Sequence, residues 1–147
     1  MRTRGRALLL IGALAFSLGV DASAQARSIR VRNFDALLTV HSDGSLDVTE
    51  QITIGFTGQW NGINRDLSLQ HNTAQGRATK LDVTIGYVTD ETGQRLRVEQ
   101  QRADNGRTRR LHIYIPGANN SDRQVIIRYR VANAIRFFFA NSSVGAL

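Results

Sequence analysis

The chain contains no cysteine, and among its nineteen basic residues only Lys80 is a lysine. The missing thiols exclude disulfides and thiolate metal sites. They also exclude a lipid anchor, because acylation at a leader cleavage site needs a cysteine there. A domain exported without disulfides must be held by its hydrophobic core. The arginine excess could serve phosphate or polyanions, but a GC-rich coding bias is the preferred explanation. Acidic residues are interspersed among the arginines and no basic stripe forms, so nucleic acid is not an expected partner.

Signatures of chemistry are also missing. His41, His71 and His112 match no metal-ligand spacing. There is no G-x-S-x-G nucleophile turn and no glycine-rich phosphate loop. No metal, cofactor or catalytic residue is expected, and the chain reads as a non-enzyme. Internal repeats, low-complexity stretches and helical stripes are absent as well.

What is present begins with an address. Arg2, Arg4 and Arg6 precede an apolar run from Ala7 to Val20. The overlapping A-x-A patterns Ala22-Ser23-Ala24 and Ala24-Gln25-Ala26 follow it. These are the three parts of a secretory signal peptide, assigned to residues 1–26. The run is shorter than the roughly 18–20 residues that span a bilayer. Cleavage would leave one domain of roughly 120 residues and lower the net charge from +7 to about +5.

The rest alternates with a period of two. Leu46, Val48, Glu50, Ile52, Ile54 and Phe56 share one phase, and Asp47, Thr49, Gln51, Thr53 and Gly55 the other. Similar alternation runs through Lys80–Thr89, Arg107–Ile115 and Arg123–Val131, with shorter strands at Asp35–Val40 and Gln94–Gln101. Turns pairing Gly with Asp or Asn separate these runs at 41–44, 90–93, 104–106 and 116–120. The expected fold is all-β, an antiparallel β-sandwich of about six to seven strands over residues 27–138, incomplete at its C-terminal edge. Thr57 to Asn72 reads as a loop and 139–147 as an irregular tail.

Three residues stand out. Glu50 falls in the apolar phase of its strand, where a carboxylate needs a cation and hydrogen bonds. Arg65, on the following loop, is its expected partner. The alternative, a general acid, lacks a second carboxylate in the pattern. Trp60, the only tryptophan, is expected to cover the open end of the core. Its alternative role is an anchor for a partner, a membrane or a sugar.

The stretch Val40-His41-Ser42-Asp43-Gly44-Ser45-Leu46-Asp47-Val48-Thr49-Glu50, with Phe56-Thr57-Gly58 and Gly62-Ile63-Asn64-Arg65-Asp66 after it, resembles the N-terminal region of the bacterial predicted membrane proteins of the domain-of-unknown-function 2207 family. Ile126-Ile127-Arg128-Tyr129-Arg130 and Ile135-Arg136-Phe137-Phe138 extend the likeness to about 29–138. The resemblance implies an exported extracytoplasmic β domain normally followed by transmembrane helices. It implies no activity and no functional residues. Beyond Phe138 this chain departs from the pattern, for which a truncated or frameshifted reading frame is the preferred expectation and a genuinely short secreted homologue the alternative.

The leading expectation is therefore a non-catalytic exported domain, periplasmic or otherwise extracytoplasmic, with envelope or membrane proteins as partners. A soluble periplasmic module for an anionic ligand or envelope polymer is the alternative. A hydrolase using Glu50 ranks third.

Overall fold

Alternation of apolar and polar side chains fixes which face each strand buries, and the computed structural model follows it through nine antiparallel strands. It describes residues 26–72 and 78–135. The expected signal peptide up to residue 25 and the expected tail lie outside the described residues.

In chain order the strands are β1 (Ser28–Val40), β2 (Leu46–Thr57), β3 (Gly62–Ser68), β4 (Gln70–Asn72), β5 (Ala78–Lys80), β6 (Asp82–Asp90), β7 (Val98–Ala103), β8 (Thr108–Tyr114) and β9 (Asp122–Ala132). One sheet has the order β1-β2-β9-β6, and a narrower one the order β3-β8-β7. A small separate pair, β4-β5, completes the set. The two larger sheets form a β-sandwich, as expected. Their inner faces share one core, built from Val48, Ile52, Ile54 and Phe56 of β2, Val125 and Ile127 of β9, and Leu111 and Ile113 of β8.

The turns are where the Gly, Asn and Asp signals place them. Gly44, Gly93 and Gly117 all have positive φ, as do Asp104, Asn105 and Gly106 in succession. Asp90 closes its turn by accepting the Thr92 and Gln94 backbone N–H groups, each at 2.9 Å.

The loop expected over Thr57–Asn72 is a correction: most of it is strand β3 and the whole of β4. Ile63, Arg65 and Leu67 occupy inward positions of β3, opposite Ile113, Leu111 and Arg109 of β8. A charged residue in the inward phase conceals the alternation. Gly62 opens the strand because a Cβ there would sit 1.9 Å from the Ile113 carbonyl oxygen; only glycine permits that approach.

Strand β9, the last described, lies inside its sheet between β2 and β6. Among the described residues the uncovered edge is β1, longer than the expected Asp35–Val40 and exposed along all 13 residues. Ile29, Val31, Phe34, Ala36, Leu38 and Val40 lie opposite Phe56, Ile54, Ile52, Glu50, Val48 and Leu46. Directly opposed residues share a face, so this apolar row continues the core-facing side of the wide sheet. The narrower sheet does not reach over it.

Candidate functional site

Where β1 and β3 part, the sandwich opens into a cleft of about 570 Å³. Ile29, Val31 and Phe34 form one wall, Trp60 and Ile63 the other, and Ile54 lies at its floor. Arg65 and His112 also contribute to its lining.

Glu50 sits beside this opening, and its residue surface is only 3% exposed. The pairing expected with Arg65 is present. Arg65 donates from Nε to Oε2 at 2.8 Å and from Nη2 to Oε1 at 2.7 Å, a two-pronged fork onto one carboxylate. The Tyr129 hydroxyl donates to Oε1 at 2.8 Å. Glu50 belongs to β2, Arg65 to β3 and Tyr129 to β9, so the triad ties the two sheets together. Burial, and then the hydrogen bond to Glu50, push the Tyr129 phenol well above the usual tyrosine range. The Glu50 hydrogen bond likewise raises the Arg65 guanidinium. The third Arg65 nitrogen, Nη1, donates to the Asp66 carbonyl at 2.7 Å. The Phe34 ring lies 5.8 Å from the guanidinium carbon. Arg65 is thus engaged on all three nitrogens, and the carboxylate of Glu50 holds three donors. The arrangement is a structural brace.

Trp60 is half-buried against the core. Its indole N–H donates to the Thr57 carbonyl at 2.9 Å, and its backbone N–H to Ala118 at 2.8 Å. The Arg27 guanidinium stacks 4.5 Å from the ring centroid, within cation–π range. The indole therefore closes one end of the cleft.

The histidines are apart. His41 lies 2.7 Å from Asp47, His112 pairs with Asn64 at 2.7 Å, and His71 is exposed. Among the described residues no group of three or more potential ligands gathers for a metal.

Sequence reasoning missed Tyr129 and the β1 row. Tyr129 had a usable signal: a phenol in the apolar phase of β9, which requires a hydrogen-bond partner once buried. The Ile29–Val31 alternation carries a similar signal for the start of β1.

The family model described as the N-terminal domain of predicted membrane protein DUF2207 matches residues 30–142. No curated protein matches the chain. Among the described residues no helix is long and apolar enough to cross a membrane.

Proposed function

This chain belongs to the DUF2207 family of predicted membrane proteins, and we propose that its β-sandwich is a non-catalytic interaction domain, exported by residues 1–26 and working on the extracytoplasmic side of a membrane. The observation that carries the reading is the β1 row. Val31, Phe34, Leu38 and Val40 face the same way as the core and yet stay between 47% and 58% exposed. Contiguous apolar surface beside an unpaired strand edge marks an association site. The basic, apolar and A-x-A segments of the leader support export.

Glu50, the residue singled out by the sequence for acid–base chemistry, is held by Arg65 and Tyr129. That engagement also draws support away from the anionic-ligand alternative, since Arg65 has no nitrogen free of a partner.

The test places a photo-crosslinking amino acid at Phe34, or at Thr84 on the exposed part of β6, in cells making the full chain. The reading expects discrete protein adducts from Phe34 and none from Thr84. Equal labelling at the two positions would contradict it, and so would hydrolysis of an ester, peptide or glycan lost in Glu50→Gln.

A further inference from the structure

The sheet edges differ sharply in how they are protected. Edge strands are normally blunted by short length, charge, bulges or a covering segment. On β6 a bulge falls between Ile85 and Tyr87. Leu96 donates its N–H to the Val88 carbonyl at 2.9 Å, so a passing segment covers the strand's end. Arg95 and Arg128 both stand over the Tyr87 ring. β7 exposes Glu99 and Arg102, and β3 is only 7 residues long with Arg65 and Asp66 at its centre. β1 has 13 residues and no proline, and its two arginines, Arg30 and Arg32, both precede Phe34. Its one irregularity is a register shift between Val31 and Asn33. Downstream of that bulge, Phe34–Val40 pairs with β2 without interruption. Its sole ionisable residue is Asp35.

We infer that β1 is the contact between two copies of this chain, paired antiparallel through Phe34–Val40 about a two-fold axis at Leu37. The inference rests on the interaction reading above and names its partner. Unpaired backbone N–H and C=O groups along an edge call for another strand, which an apolar small molecule cannot supply. The two-fold is the commonest symmetry of a self-complementary contact. Centring on Leu37 uses the whole uninterrupted stretch. Phe34 then faces Val40 of the other copy, Ala36 faces Leu38, and Asp35 faces Thr39, so no like charges meet. Centring on Asp35 would oppose the two carboxylates. Within that stretch Phe34, Leu37, Leu38 and Val40 are between 47% and 69% exposed, so apolar side chains flank the proposed seam on both faces of the strand.

The test uses the absence of cysteine. Leu37→Cys in the full chain creates a single thiol at the proposed axis. Leu37 is 69% exposed, so the substitution leaves the fold intact, as circular dichroism will check. Opposed Cβ atoms in such a pair lie about 4.5–5.5 Å apart, close enough for a disulfide after small adjustment. Thr84→Cys, exposed on β6, is the control. Mild oxidation should give covalent dimers from Leu37→Cys on the order of tenfold faster than from Thr84→Cys, because the thiols are already held together. Adding Leu38→Glu to Leu37→Cys should remove the difference. Equal rates for the two single-thiol chains overturn the inference. A Phe34 photo-adduct to a different protein, with equal disulfide rates, overturns the second copy as partner while leaving the interaction reading standing. Absence of both overturns both.

Discussion

Val31 and Ile54 face each other across β1 and β2, yet Ile54 is 1% exposed and Val31 is 58% exposed. Two residues on one face of one sheet therefore live in different solvents. Ile54→Ala should destabilise the fold by roughly 2–5 kcal/mol, through lost transfer energy and a cavity. Val31→Ala should change it by no more than about 0.5 kcal/mol. Urea denaturation of dilute protein measures both, and similar costs at the two sites would mean the row is covered in solution.

The Glu50 brace predicts an ordering. Arg65→Ala strands a buried carboxylate and should cost roughly 3–5 kcal/mol. Tyr129→Phe removes one hydrogen bond to a charged acceptor and should cost roughly 1.5–3 kcal/mol. Glu50→Gln keeps one acceptor oxygen but sets an NH2 donor against the donors around it, so it should cost stability yet less than Glu50→Ala, which should be severely destabilised. Thermal melts of the four variants give the order. Tolerance of Arg65→Ala would contradict the brace.

Alkali should act through Tyr129. Its folded pKa lies above the unfolded value of about 10, so its contribution to stability is complete below that pH. The contribution is lost as the pH rises from there through the folded value. The tyrosinate absorbance of wild type minus that of Tyr129→Phe should therefore appear together with unfolding. Ionisation of Tyr129 in a still-folded protein, seen as that absorbance preceding the loss of circular dichroism, would contradict the buried contact.

Acid should act through the 90–93 turn. Hydrogen bonds from Thr92 lead the causes that hold Asp90 below the usual carboxylate range. Its contribution is present above the unfolded value of about 4 and is lost as the pH falls through the depressed folded value. Asp90→Asn should be less stable than wild type at neutral pH, with the gap closing in acid. A gap independent of pH would contradict this.

The sequence exposes some of this and hides the rest for physical reasons. The β2 alternation shows which face is buried, and a carboxylate in that phase shows that a cation must meet it, which is how Glu50 and Arg65 could be paired in advance. The same pairing hides β3, because Arg65 takes an inward position where an apolar residue would have revealed a strand. The periodicity of β1 gives the face of Phe34 and Leu38. It cannot give their exposure, which depends on how far the opposite sheet extends.

The central claim is that the apolar row of β1 is a recognition surface. The most direct measurement is the Phe34 photo-adduct in a Leu38→Glu background, with the melting temperature recorded beside it. The account predicts that the adduct disappears while the fold melts as before, because Leu38 is 54% exposed. An adduct that persists at its wild-type level would contradict it.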